Sequence, residues 1–294
     1  MPSLKDLKNR IKGVKSTQKV TKAMKMVAAA KLRRAKEAQE ASKPYSTRML
    51  YLIKHILGTL ENEVDTPALL KGTDKDDIVL LLVVSSDRGL CGAFNSSIIK
   101  KSLSYAKELT AQGKEVRFFC VGKKAVEVIS KYQSDKIIFT VTGVVGKKLD
   151  YIKIKDLVDK LIELFEAGKF DRCMVIYNHF LSAIAQQVTC EQFLPVDNSM
   201  LEPVHKQGQV SAYEFEPSQT QILDSLIPKH LAVRLYYIFL ENIASEHGSR
   251  MSAMENATQN AGEMIGKLTL VYNRTRQAAI TKELIEIISG AQAV

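Results

Sequence analysis

The apolar residues near the start of the chain follow the spacing of a coiled-coil helix. They recur at alternating steps of three and four residues, as Leu4, Leu7, Ile11 and Val14. The spacing then slips in an alanine-rich stretch, and the apolar stripe resumes from Met49 to Leu60. The pattern predicts one long helix within residues 1–60, with Pro44 as a kink or a break.

The end of the chain has a second and more regular stripe, which predicts a helix within residues 211–294. Its members are Met251, Met254, Thr258, Ala261, Ile265, Leu268, Tyr272, Thr275 and Ala279. Steps of three and four that continue over four heptads are typical of a left-handed coiled-coil seam. Pro228 and Gly248 are local irregularities in this helix. Each helix needs a partner for its seam, so we predict that the two ends of the chain form an antiparallel pair.

The middle of the chain alternates short β-branched or aromatic runs with helical patterns. The runs are Ile78–Val84, Val116–Val121, Ile137–Val141, Met174–Tyr177 and Val188–Phe193, and the helical patterns are Ser97–Gln112, Lys123–Tyr132 and Lys153–Ala167. This alternation predicts a mostly parallel sheet covered by crossover helices. The predicted fold is a Rossmann-like α/β domain over residues 75–200, inserted between the two arms of the coiled coil.

Composition and charge narrow the classes of protein. Hydrophobic residues make up 46% of the 294 residues and charged residues 25%, which is ordinary for a globular protein, and no apolar run is long enough to span a membrane. The basic start lacks a signal-peptide core, so we interpret it as mature structure. Residues 1–36 hold twelve lysines or arginines and only one acidic residue, Asp6. This charge predicts an acidic protein surface, a nucleic acid or an anionic membrane as partner.

The segment from Ser85 to Asn95 lies after the first predicted strand, where a phosphate-binding loop would lie. Its glycines match neither the dinucleotide fingerprint nor the P-loop spacing. The five histidines and four cysteines show no catalytic or metal-binding spacing. We therefore predict no catalytic residue, cofactor or metal, and we interpret Asp87 and Arg88 as part of a contact surface. Two alternatives remain, namely a nucleotide-binding α/β enzyme with helical arms and a basic coiled coil that binds nucleic acid.

Four long segments, in the same order, resemble the gamma subunits of F-type ATP synthases. They are TKAMKMVAAAK, SSDRGLCGAFN, SEHGSRMSAMENATQNA and LVYNRTRQAAITKELIEIISGA. The resemblance extends over essentially the whole chain. It implies a non-catalytic rotor shaft that couples proton-driven rotation to conformational cycling of the catalytic beta subunits.

The resemblance also implies partners and a location. The paired helices would lie inside a ring of alpha and beta subunits, and the α/β domain would bind the epsilon subunit and the membrane c-ring. The chain would then be a peripheral membrane protein on the cytoplasmic face of a bacterial inner membrane, or alternatively on the matrix face of a mitochondrial one. No nucleic acid is implied as a partner, and the membrane would be reached only through the c-ring.

The residues implied by the resemblance fall into three groups. Those that would contact the acidic levers and catch loops of the beta subunits are Lys22, Met24, Lys25, Asp87, Arg88, Cys91, Arg250, Gln259, Asn260, Gln277, Thr281 and Glu283. Those that would form a tip inside an apolar bearing are Leu284, Ile285, Ile287 and Ile288. Those that would lie over the c-ring are Tyr213, Phe215 and Glu216.

Overall fold

The computed structural model describes residues 3–58, 67–73, 75–144, 149–196, 216 and 218–292. The elements in chain order are α1 (Leu4–Leu57), α2 (Ala68–Lys71), β1 (Ile78–Val84), α3 (Phe94–Ala111), β2 (Glu115–Val121), α4 (Lys123–Gln133), a 3-10 turn (Ser134–Lys136), β3 (Ile137–Val141), α5 (Tyr151–Glu166), β4 (Arg172–Phe180), β5 (Gln186–Leu194) and α6 (Gln219–Gln292). The predictions for residues 59–60 and 211–215 lie outside the described residues.

The five strands form one sheet in the order β3-β2-β1-β4-β5. The first four strands run parallel, and β5 pairs antiparallel with β4. The central strand β1 is apolar throughout, as expected for a parallel strand that is covered on both faces. Alternate residues of β1 pack against α3 and α4 on one face, and against α5 and parts of α1 and α6 on the other. This confirms the predicted fold class, an α/β domain inserted between two long helices.

The chain divides into two compact units, and the first consists of Met1–Ala29 and Arg250–Val294. In the described part of this unit, the α6 seam positions predicted from Met254 to Ala279 are all buried or half-buried. The seam of α1 does not slip after Val14, because Gln18 and Thr21 continue the spacing. The Oγ1 atoms of Thr21 and Thr258 are 2.7 Å apart, so they form a hydrogen bond between the helices. Because Gln18 and Thr21 are polar, the spacing of apolar residues alone did not show that the seam of α1 continues.

The second unit, Ala30–Ser249, contains the sheet and the remaining parts of α1 and α6. Here α6 is almost completely enclosed, since no residue from 230 to 248 is exposed. Its apolar residues join the larger core together with α5 and one face of the sheet. The same stretch also buries Glu241, Asn242, Ser245 and other polar residues that an amphipathic pattern would assign to the surface.

Neither proline breaks its helix. Pro44 lies inside α1 and Pro228 lies inside α6, so the predicted break at Pro44 is absent. Gly248 marks a close approach within the second unit, because a Cβ atom placed there would lie 3.2 Å from the carbonyl oxygen of Ala183. A side chain in place of this glycine would press on the backbone of the β4–β5 hairpin, and the helix continues through the glycine.

Aspartate at the seam of the first unit should destabilise it, whereas aspartate on the outer face of the same helix should not. Ile265 and Leu268 are half-buried, and Met264 and Leu270 are 52% and 73% exposed. Replacing Ile265 and Leu268 by aspartate places two charges between packed helices, so we expect a loss of about 2–4 kcal/mol in the free energy of unfolding. The matched variant Met264→Asp/Leu270→Asp should lose about 1 kcal/mol or less. Urea titration of the full-length chain, followed by circular dichroism, measures both, and equal losses would contradict the seam.

His230 makes the second unit sensitive to mild acid. It is buried in α6, and its Nδ1 atom has no hydrogen-bond partner among the described residues. Burial, with a smaller contribution from the nearby Arg234 cation, lowers the pKa of His230 from 6.5 to about 4. Between these two values the unfolded chain takes up a proton that the folded chain does not. The free energy of unfolding therefore falls as the pH drops through this window.

The substitution His230→Phe should remove this dependence on pH. At pH 5 the protonation of His230 in the unfolded chain should cost about 2 kcal/mol relative to pH 7, and the variant should lack that loss. Urea titrations of both proteins at pH 7 and pH 5 give the difference. His55→Phe is a control, because His55 is only half-buried on α1 and stacks on Tyr51. If His230→Phe loses as much stability as the unsubstituted chain, a different group is responsible.

Candidate interaction surfaces

The basic face of α1 in the first unit is exposed and only partly paired within the chain. Lys22 is exposed and forms no ion pair among the described residues, whereas Lys25 pairs with Glu255 of α6. Met24 is half-buried beside them. An exposed ion pair adds little to stability. Most of the positive charge of this face is exposed to solvent.

Opposite this face, α6 presents polar groups. Arg250 is half-buried, and Gln259 and Asn260 are exposed. Further along α6, the side chains of Gln277, Thr281 and Glu283 are also exposed, and Thr281 donates a hydrogen bond to the carbonyl oxygen of Gln277 in its own helix. The amide of Gln277 and the carboxylate of Glu283 can therefore reach a partner directly.

The end of α6 carries apolar side chains that no described residue covers. Every residue from 280 to 289 is exposed. Leu284, Ile285, Ile287 and Ile288 are exposed by 53% to 69%. A helix with this much uncovered aliphatic surface requires an apolar environment, since burial of such side chains is what normally stabilises a helix in water.

In the second unit, Asp87 ties together the carboxyl ends of three neighbouring strands. It follows β1, and its two carboxylate oxygens accept hydrogen bonds from the backbone of Lys123, after β2, and of Gly143, after β3. The distances are 3.0 Å and 3.1 Å. Gly122 allows this arrangement, because a Cβ atom there would lie 2.3 Å from the carbonyl oxygen of Ser85. Asp87 thus has a role inside the chain, and its neighbour Arg88 is the exposed charge of the pair.

The thiol of Cys91 is hidden. Cys91 is 2% exposed, and its sulfur accepts a hydrogen bond from the amide of Asn95. Leu90, which precedes it, is 66% exposed and has a φ of 60°. A partner that meets this loop would contact Leu90 and Arg88 rather than the thiol. The exposure of Leu90 could not be predicted from the sequence, because an apolar residue is normally expected to be buried and rarely adopts a left-handed backbone.

The crevice in which an α/β sheet usually binds nucleotides lies between the ends of β1 and β4, where the strand order reverses. It is closed by Asn178 of β4. The backbone of Asn178 donates to Asn242 and accepts from Ser245, both on α6, and its side chain donates to the carbonyl oxygen of Phe94 at the start of α3. These bonds join β4 to α3 and α6 at the edge of the sheet where the crevice lies.

The described residues bear on three further features, namely a metal site, a membrane-spanning helix and a reactive thiol. Among the described residues, no cluster of histidine, cysteine and acidic side chains could hold a metal, and no helix is apolar and long enough to cross a bilayer.

Burial raises the pKa of Cys120 to about 12 and that of Cys190 to about 11, so both stay protonated at neutral pH. Glu216 is exposed, while Tyr213 and Phe215 lie outside the described residues.

Comparisons with known proteins agree with one another. A family profile described as ATP synthase matches residues 3–294. The ATP synthase gamma chains of Azorhizobium caulinodans and Sinorhizobium medicae are 49% and 51% identical to this chain, each over its whole length and that of the relative. The chain belongs to the ATP synthase gamma-chain family.

Solved structures show the same fold. The rotor of the Euglena gracilis mitochondrial ATP synthase aligns over 94% of this chain and 98% of its own, with a TM-score of 0.63 and 20% identity. A second structure of that synthase, which includes F1 and the c-ring, aligns over 99% and 94% with a TM-score of 0.68 and 22% identity. At this identity the likeness supports the architecture of paired long helices and an α/β domain.

We predict that the full-length chain does not bind ATP with micromolar affinity, with or without magnesium. The closed crevice at Asn178 and the lack of a phosphate loop after β1 are the reasons. Calorimetric titration measures this directly. The variant Asn242→Ala, which removes one of the closing bonds, should bind no better, because the loop still offers no cradle for phosphates. A saturable one-to-one isotherm would contradict the prediction.

Proposed function

We propose that this chain is the rotor shaft of an F-type ATP synthase and has no catalytic site of its own. The observation that carries the proposal is the end of α6, where ten consecutive residues from 280 to 289 are exposed and five of them are large and aliphatic. An apolar sleeve would cover this surface without directional bonds. Such a contact resists rotation less than a polar one, because no hydrogen bond breaks when the helix turns.

The proposed partners follow from the distribution of charge and exposure. The tip Leu284, Ile285, Ile287 and Ile288 fits an apolar bearing formed by a ring of alpha and beta subunits. The basic face with Lys22 fits acidic lever segments of the beta subunits, and Arg88 with Leu90 fits a second lever contact on the α/β domain. Gln277 and Glu283 fit polar catch loops. The epsilon subunit and the c-ring would bind the α/β domain and the segment of residues 213–216.

The mechanism follows from the asymmetry of the shaft. Basic charge is concentrated on α1, and exposed aliphatic side chains lie at the end of α6, so each orientation offers a different set of contacts to the three catalytic subunits. An orientation stabilises whichever conformation of a subunit complements the face it meets. Turning the shaft therefore cycles the nucleotide affinity of each site, and the coupling is a difference in contact free energy. The chain itself would lie at the cytoplasmic face of a bacterial inner membrane, held there by the c-ring.

The alternative of nucleic-acid binding predicts a different behaviour. The lysines of α1 would neutralise phosphates, but the basic segment 3–36 contains no aromatic side chain that could stack on bases. Any affinity for duplex DNA should then depend only on charge and disappear near physiological salt. A sequence-selective complex that survives such salt would favour this alternative.

Charge reversal on the basic face should uncouple the machine while leaving it assembled. In the variant Lys22→Glu/Lys25→Glu, the repulsion from acidic levers should lower proton pumping about tenfold, while ATP hydrolysis falls about threefold or less. The assay reconstitutes the complex in lipid vesicles and measures subunit assembly, hydrolysis and pumping separately. Equal losses of pumping and hydrolysis would contradict the proposed lever contact.

Two controls separate coupling from folding. Lys131→Glu places the same charge change on an exposed position of α4 and should leave pumping unaffected. Lys25→Glu/Glu255→Lys restores an ion pair between the two helices with the charges exchanged. It should keep the stability of the unsubstituted chain, because an exposed pair contributes little in either orientation.

A further inference from the structure

The end of strand β4 is bonded to both long helices within the second unit. Three consecutive residues take part. Asn178 exchanges hydrogen bonds with Asn242 and Ser245 of α6, and the Nδ1 atom of His179 lies 2.6 Å from the carboxylate of Glu241 of α6. The ring of Phe180 lies 5.3 Å from the ammonium group of Lys36 of α1.

Glu241 is the centre of this arrangement. It is 2% exposed, and its second carboxylate oxygen accepts a hydrogen bond of 3.1 Å from the amide of Gln39 on α1. The same amide donates to the hydroxyl of Tyr237, one turn before Glu241 on α6, over 2.9 Å. One buried carboxylate therefore joins the strand, the first helix and the last helix. We call the set of Gln39, Asn178, His179, Glu241, Asn242 and Ser245 the β4 junction.

Stability alone does not account for a buried carboxylate at this place. Replacing a buried ion pair by apolar side chains of similar volume is often neutral or stabilising, so an aliphatic cluster would hold the fold equally well. Polar groups differ from apolar ones because their hydrogen bonds depend on direction and distance. A hydrogen bond near 3 Å weakens steeply when its partners shift, whereas apolar contacts tolerate sliding. The best-attested use of buried polar groups is to fix the register of packed elements.

We propose that the β4 junction carries torque between the α/β domain and the two long helices. The proposal rests on the proposed rotor function. In such a rotor, torque delivered to the α/β domain acts to turn the packed helices against the sheet. The junction opposes this shear because Asn178 and His179 bond β4 to α6, and Glu241 bonds α6 to Gln39 of α1. Glu241 is a positioning residue in this scheme and touches no substrate.

The test replaces the polar bonds without emptying the core. In the variant Gln39→Leu/His179→Leu/Glu241→Met, the three elements still pack. The bonds made by the side chains of Gln39, His179 and Glu241 are gone, whereas the bonds from the backbone of Asn178 to α6 remain. ATP hydrolysis by the reconstituted complex should remain within about twofold of the unsubstituted level, while proton pumping against an imposed gradient should fall about threefold or more. Without a gradient the difference should shrink, because little torque then crosses the junction. A merely structural role would not produce this dependence on load.

Two milder variants keep the proposal testable if the triple variant does not fold. Glu241→Gln retains the shape and one acceptor, so it should pump nearly as well as the unsubstituted complex under load. Gln39→Leu removes the hydrogen bond that joins α1 to the carboxylate among the described residues, and it should show an intermediate loss. Ile238→Val is the matched control, because Ile238 is buried on α6 and makes no polar bond, so its pumping under load should be unchanged.

The outcomes distinguish this proposal from the proposed function. If the unsubstituted chain does not assemble into a pumping complex, the rotor function fails and the junction loses its basis. If the unsubstituted complex pumps, and the triple variant or Gln39→Leu pumps equally well under load while folded, the junction does not carry torque. If Ile238→Val loses pumping in the same load-dependent way, core packing rather than the polar bonds is responsible, and the proposal is wrong.

Discussion

The enclosure of α6 between residues 230 and 248 is the constraint on which the α/β unit depends. A helix covered on all sides needs partners for the polar groups that it buries, since an unpaired one costs several kcal/mol. Among the described residues, the Nδ1 atom of His230 is an exception. Asn242 and Ser245 find theirs on the backbone of Asn178, and Glu241 finds its own on His179 and Gln39. These bonds fix the end of β4, and through it the loop after β1 and the crevice beside it. A site that binds nucleotides in other α/β proteins is thereby used to hold a helix.

The paired helices of the other unit follow a different rule. Their contact is a narrow seam of small and aliphatic residues with one polar layer at Thr21 and Thr258, and the rest of each helix faces outwards. Most of their surface is therefore available to partners, with basic charge concentrated on α1 and aliphatic residues at the end of α6. The seam holds the helices together, and the outward faces differ enough for each orientation to be distinct.

The sequence predicted what depends on periodicity. The heptad spacing from Met254 to Ala279 located the seam of α6, and β-branched runs located all five strands, because both patterns record which side faces the core. It could not predict what depends on distant partners. The burial of His230 and Glu241 is an example, since polarity alone does not tell a solvated side chain from a buried one. Asp87 was interpreted as a contact residue. Its carboxylate accepts hydrogen bonds from loops after two other strands, and these partners are too distant in the chain to be recognised from the sequence. Pro44 was expected to disturb α1, but the long helix continues on both sides of it.

The uncovered aliphatic end of α6 has a consequence for how such a chain is produced in a cell. Before its partners enclose them, Ile280, Leu284 and Ile288 offer the kind of surface that chaperones hold and proteases sample. Surplus copies made without the other subunits therefore expose a signal of their own incompleteness, and their lifetime depends on how quickly they are assembled. The supply of this chain is then matched to the number of complexes that can receive it, with no separate regulator required.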